Sequence, residues 1–397
     1  MESGWKHKTA LFLAGQAVSL FGTSLVQYAI IWYVTLKTQS GMMIAVASVC
    51  SFAPQIAVSL FAGVWADRLD RKRIVVAADT MTAAATLLLA VMFLMERGEL
   101  WMIFTVAAVR SLGTGIQSPA VTALVPQLVP PEKLMRVNGI AGTVQSIILL
   151  VSPAASGALY ALSHMEYIFF IDVATAAIGI GLLLAVRIPP HERAARNTAG
   201  YFDDWKEGFA FIRHTGFVRS LLVFFALFMF LIVPAAYLTP LMATRAFGPE
   251  VWRLTAIEIL FSAGSVLGGI VVAVWGGFKS RGLTLAVTCV LGGMLTVALG
   301  FAQSFWFFLV MMFLMGLLIP FFGVAATVAL QERVDAGMQG RVFGYVSIAS
   351  AAAMPLGTFV FGPMADALRI ETLLIGTGVM IAALGVWVRV DRNLRLL

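Results

Sequence analysis

Apolar residues fill this chain in long runs, interrupted by short polar turns at nearly regular intervals. Twelve runs stand out, at 9–36, 41–65, 74–95, 100–121, 138–162, 166–187, 217–242, 253–276, 282–302, 304–327, 340–365 and 370–389. A helix of about 20 apolar residues crosses the roughly 30 Å hydrocarbon core of a bilayer, so each run is long enough to span it. The runs are continuously apolar rather than alternating, which predicts helices and not a membrane β-barrel. The fold class expected is therefore an all-α membrane protein with twelve transmembrane helices.

Only one long break interrupts the series. Residues 188–216 divide the runs six and six, which predicts a six-helix bundle over 1–187, a linker over 188–216 and a second six-helix bundle over 217–397. Within the linker, Trp205, Phe209 and Ile212 recur at helical spacing among charges, the pattern of an amphipathic helix lying on the membrane surface. The halves also echo one another. Val129 is followed by Arg136-Val-Asn-Gly139, and Val334 by Arg341-Val-Phe-Gly344, each after six residues and each ahead of a long apolar run. Two pseudo-symmetric parallel repeats follow, with substrate expected between them.

Composition and charge agree with this picture and narrow it. The 397 residues are 60% hydrophobic and only 12% charged, too few charges to clothe a soluble domain of this size. With the N-terminus inside, the outer loops hold only Lys37, Arg97, Arg245, Arg253 and Arg369, so both termini are expected to be cytoplasmic. The net charge of +7 is thus a signature of topology, and no nucleic-acid partner is expected. Lys6 and Lys8 precede an apolar run too long for a secretory signal, so that run is read as the first span. Cys50 and Cys289 lie inside apolar runs and suggest neither disulfide nor metal. His7, His164, His191 and His214 are scattered through loops and termini, which gives an enzyme no catalytic cluster. A Gly-x-x-x-x-Gly-Lys-Ser/Thr loop is missing, so neither ATP nor any other cofactor is expected to drive the protein.

The most specific segment is the turn Gly63-Val-Trp-Ala-Asp67-Arg68-Leu-Asp70-Arg71-Lys72-Arg73. Positive-inside anchoring accounts for its bases but not for Gly63 or Asp67. The order of residues resembles the loop between helices two and three of major facilitator superfamily transporters. Asp70 departs from that pattern, which commonly has Gly there. In the second half, Trp275-Gly-Gly-Phe-Lys279-Ser-Arg281 looks like a degenerate copy without the acidic residue. The resemblance implies that Gly63, Asp67, Arg68, Asp70, Arg71 and Lys72 gate the cytoplasmic side. Ser152-Pro153-Ala-Ala-Ser156-Gly157 resembles the Gly-Pro-x-x-Gly-Gly signature in the fifth helix of exporters, and Arg110-Ser-Leu-Gly113-Thr-Gly115 a fourth-helix motif of drug/proton antiporters. The layout as a whole resembles macrolide-efflux-type antiporters, with siderophore exporters a related group.

Candidate chemistry follows from polar groups inside the spans. Arg110 stands alone in the fourth run, where a charge costs at least about 2.5–3.5 kcal/mol and marks function. Glu258 and Asp172 sit among apolar neighbours and are the candidates to carry a proton. Asp79 and Asp366, closer to the ends of their runs, read as structural. Gln16, Gln27, Tyr28, Trp32, Gln117, Gln145 and Tyr237 are candidates to line a substrate cavity. The function expected is export of a bulky amphiphilic compound, macrolide-like first, in exchange for protons. An exporter of a siderophore or lipid-like metabolite is the alternative, and a non-transporting receptor a weaker one. The partners are then a small-molecule substrate, protons and the lipid bilayer of a bacterial inner membrane, with the chain working as a monomer.

Overall fold

The computed structural model describes residues 3–188, 213, 215–278, 280–334, 336–391 and 393–394. The linker helix expected around Trp205, Phe209 and Ile212 lies outside the described residues. Everything regular in the described chain is helical. α1 is Ser3–Thr38, α2 Gly41–Arg68, α3 Arg71–Leu94, α4 Leu100–Leu128, α5 Leu134–Leu162 and α6 Met165–Ala185. There follow α7 Gly216–Leu231, α8 Val233–Tyr237, α9 Thr239–Phe247, α10 Val251–Trp275, α11 Arg281–Gly300, α12 Phe305–Arg333, α13 Ala336–Ala367 and α14 Ile370–Val390.

Ten of the helices in the described chain are long and apolar enough to cross a bilayer, and the chain is a multi-pass membrane protein. Two expected spans are not among the ten, for visible reasons. α4 carries Arg110, Thr114 and Gln117 in its middle and is the more polar for it. The run at 217–242 is divided into α7, α8 and α9. Pro234 and Pro240, with no N–H to continue a helix, each sit in the first turn of a new segment.

The chain forms two compact units, Met1–Val34 with Val46–Arg196, and Thr35–Ala45 with Asn197–Leu397. In the first, α3 packs against both α4 and α6; in the second, α11 packs along α14 and α10 along α12. Small residues make such contacts close, as membrane helices without a hydrophobic drive to associate require. A Cβ on Gly293 of α11 would stand 2.5 Å from the carbonyl oxygen of Gly378 of α14, so only glycine fits that crossing.

The sequence echo between halves has a structural counterpart. Val129 closes α4 and Val334 closes α12, both in extended conformation, and each donates its N–H to the carbonyl four residues back (3.1 and 2.9 Å). The two polar turns correspond in the same way. Asp70 is the N-cap of α3, accepting the Arg73 N–H at 3.1 Å, and Ser280 caps α11, accepting the Leu283 N–H at 3.1 Å. The residue that departs from the family pattern is therefore an ordinary helix cap.

Residues 35–45 belong to the second unit, and Asp366 of α13 shows why. Its carboxylate accepts from Ser40 Oγ (2.7 Å) and from the N–H groups of Gly41 (2.7 Å) and Met42 (2.9 Å), capping the first turn of α2. Arg245 completes the clamp through Asp366 (3.0 Å) and the carbonyls of Ala365 and Gln39. Contacts of this kind are worth about 1–2 kcal/mol. Asp366→Ala is accordingly expected to speed hydrogen exchange at the Gly41 and Met42 amides by roughly tenfold or more. Unchanged exchange there would show that the clamp does not hold the turn.

Candidate functional site

The first unit encloses a cavity of about 490 Å³ walled by α1, α3, α4, α5 and α6. Helical period selects its lining. α1 contributes Gln16, Ser19 and Thr23, α3 contributes Asp79 and Thr82, and α4 contributes Arg110, Gly113, Thr114 and Gln117. These lie at i, i+3, i+4 and i+7 on the inward faces of helices whose other faces are apolar. Gln145 of α5 and Asp172 of α6 complete the wall. Most lining residues of α1, α3, α4 and α5 come from the halves of those helices nearer Ser3, Arg71, Leu128 and Leu134, with Thr23, Arg110 and Gly113 just past the middle. The cavity therefore reaches from the middle of the bundle toward the end that carries the charged α2–α3 turn.

At its inner limit, Arg110 and Asp172 form an ion pair with side chains only 7% and 3% exposed. The guanidinium also donates to Thr86 Oγ1 at 2.6 Å and to the Thr23 carbonyl at 3.4 Å. One cation thus ties α1, α3 and α6 to α4. A charge buried in a membrane is tolerated when it is paired and hydrogen-bonded, and Arg110 is both. Gly22 of α1 lies against Asp172 so closely that a Cβ there would stand 3.1 Å from Oδ1, and it would collide with Thr175. Asp79 is the third charge in the wall, 9% exposed, and its partner is neutral: Gln117 Nε2 donates to Oδ1 at 2.7 Å.

The structure brings five of the expected site residues together here, namely Gln16, Arg110, Gln117, Gln145 and Asp172. Asp172, one of the two proton candidates, is the counter-ion of Arg110. Asp79, read as structural from the sequence, faces the cavity. Its spacing with Thr82 and Thr86, in register with Arg110, Gly113 and Gln117 on α4, was the available signal. Gln27, Tyr28 and Trp32 lie farther along α1 and are not part of this wall. Trp32 is fully buried, 5.8 Å from the Tyr28 ring. Ser152, Pro153, Ser156 and Gly157 are buried in α5, where Ser156 Oγ donates to the Leu25 carbonyl at 3.0 Å and holds α5 to α1.

Tyr237 and Glu258 belong to the second unit. The Tyr237 phenol lies within electrostatic range of the Glu258 carboxylate. Among the described residues Glu258 makes no ion pair. The arginines nearest it in sequence are committed elsewhere, Arg253 to Glu250 (3.0 Å) and Arg245 to Asp366.

In the charged turn, the side chains of Asp67 and Arg68, and the surroundings of Gly63, fall outside the described residues. Arg71 donates to the Ala123 carbonyl in α4 at 2.8 Å. Lys72 donates to the carbonyls of Leu184 and Val186 at 2.9 and 2.8 Å, satisfying the last acceptors of α6.

A multi-pass helical protein with a buried ion pair in a polar cavity has the design of a membrane transporter. The chain belongs to the Major Facilitator Superfamily, whose family model matches residues 12–358. It is 34% identical over 388 residues to Macrolide efflux protein A of Streptococcus pyogenes, covering 97% of this chain and 96% of that protein. Among solved structures it resembles the nucleoside transporter NupG, with TM-score 0.68 and 15% identity over 97% of this chain and 98% of that one. It also resembles a D-xylose–proton symporter, with TM-score 0.73 and 14% identity over 96% and 97% of the two chains. Members of this superfamily are transporters rather than enzymes.

Proposed function

We propose that the protein exports bulky amphiphilic compounds, macrolide-like ones first, in exchange for protons. In this reading twelve spans form two six-helix bundles, 1–187 and 217–397, joined by 188–216. Both termini face the cytoplasm, and access alternates between the two sides of a bacterial inner membrane. The chain works as a monomer. The observation that carries the reading is the polar cavity built around Arg110 and Asp172, in a chain similar along nearly its whole length to a macrolide efflux protein. A substrate bound there meets amides, hydroxyls and the charged Arg110, Asp172 and Asp79 among apolar side chains, which suits a large, mostly apolar molecule with a few polar groups. The Gly63–Lys72 turn gates the cytoplasmic side, and Glu258 carries a proton. Energetically one proton is sufficient for a neutral cargo. A potential of 100 mV supplies about 2.3 kcal/mol per charge and one pH unit about 1.4 kcal/mol, enough for a gradient of several hundredfold.

The test is reconstitution in liposomes with a pH-sensitive dye inside and an imposed proton gradient, followed by a panel of macrolides, lipophilic cations and a siderophore. Macrolide-triggered proton flux is the expected result. Macrolide movement without proton flux would overturn the antiport, and flux triggered by the siderophore alone would reassign the cargo.

A further inference from the structure

The charges in the cavity wall do not balance. Among its described lining residues the charged ones are Asp79, Asp172 and Arg110, which leaves one carboxylate in excess. Arg110 serves only one of the two acids. Its guanidinium is bonded to Asp172, Thr86 and the Thr23 carbonyl, whereas Asp79 has only the Gln117 amide. Gln117 satisfies Oδ1 by hydrogen bonding and leaves the charge uncompensated. A buried carboxylate in that position has two ways to lose its charge: it holds a proton, or it takes a cation from the cavity. The geometry favours access by an organic cation. Asp79 lies about 12 Å along α3 from its charged Arg71 end, on the half of the bundle into which the cavity extends. The wall around it mixes hydroxyls and amides with Phe12, Leu13, Leu20, Val121 and Val144, an environment for a cation with apolar substituents rather than a hydrated metal ion.

We propose that Asp79, positioned by Gln117, is the binding group for the charged centre of a lipophilic organic cation, and that proton and cation occupy it in turn. Arrival of the cation releases the carboxyl proton, and departure lets it return, so each occupancy exchanges one positive charge for another. The Arg110–Asp172 pair, already neutral, holds the helices in place and takes no part in the exchange. The efflux reading supplies the direction of transport, while the binding site stands or falls without it.

The purified full-length protein in detergent micelles allows the test, with radiolabelled tetraphenylphosphonium as probe. Its permanent charge separates cation binding from hydrogen bonding. Equilibrium dialysis is expected to show apparent affinity rising with pH, by up to tenfold per unit while Asp79 is protonated. In weak buffer, close to one proton should be released per cation bound. Asp79→Asn is expected to lower affinity by tenfold or more and to abolish the release, while Asp79→Glu retains both. Gln117→Leu should weaken binding less and keep the proton release. Wild-type binding that is absent, or that shows neither pH dependence nor proton release, would overturn the proposal even if the variants fail to fold. An Asn variant that binds and releases protons as the wild type does would also overturn it. Export of a neutral macrolide in liposomes despite such a result would leave the efflux reading intact and remove only the cation site.

Discussion

Arg110→Ala is expected to abolish transport and to cost the fold about 3–5 kcal/mol, the penalty of leaving one member of a buried ion pair alone. Three partners lose their donor at once: Asp172 on α6, Thr86 on α3 and the Thr23 carbonyl on α1. Asp172→Asn strands the guanidinium instead and should be nearly as damaging. The informative variant is the double one. With Arg110→Leu and Asp172→Asn together neither member of the pair leaves a stranded charge behind, so stability should return to within about 1–2 kcal/mol of the wild type, because neutral residues of similar volume replace buried ion pairs at little cost. Transport should not return, since the cavity loses the ion pair that ties α1, α3 and α6 to α4. Thermal unfolding in detergent and export from liposomes separate the two effects. A double variant that is stable and fully active would reduce the pair to a structural accident. Arg110→Lys should fall between, because a single ammonium cannot reach all the groups that the planar fork reaches.

Much of this arrangement was legible in the sequence, and what was not has physical reasons. Hydropathy along the chain locates the spans, because burying a helix in lipid demands about 20 apolar residues regardless of partners. The Val-x6-Arg echo marks equivalent helix ends, and those ends are local structures that each copy builds alone. Arg110 stood out because a membrane charge is costly wherever its partner sits. The partner itself, 62 positions away, was invisible as such: pairing across helices is decided by packing, which leaves no mark in the spacing of either helix. Asp79 reads as structural because two turns from a charged end looks like the membrane edge, and the sequence does not show that the cavity extends toward that end and that Asp79 lines its wall. The bases of the charged turn read as a gate from their order alone; nothing in the sequence signals that Arg71 also donates to a carbonyl in the last third of α4 and Lys72 to carbonyls at the end of α6.

Glu258→Gln is expected to convert a steep pump into a shallow exchanger when the cargo is a cation such as ethidium. Glu258 sits in α10 without an ion pair among the described residues, its neighbouring arginines being held by Glu250 and Asp366. If it carries one proton while Asp79 trades a second proton for the cation, each cycle moves two protons inward and one cation outward. At one pH unit and 100 mV that is worth about 5 kcal/mol, a gradient of several thousandfold. With Gln at 258 only the one-for-one trade remains. It transfers no net charge, so the membrane potential drops out and about 1.4 kcal/mol is left, a gradient near tenfold. Liposomes that hold ethidium under a potassium–valinomycin potential at equal pH on both sides isolate the difference. The wild type should concentrate ethidium against its gradient, and the Gln variant should not, while both respond to a pH step. A variant that still follows the potential would place the second proton elsewhere than Glu258. A neutral macrolide would sharpen the same comparison, because its export has no charge to trade at Asp79 and depends on Glu258 for all of its coupling.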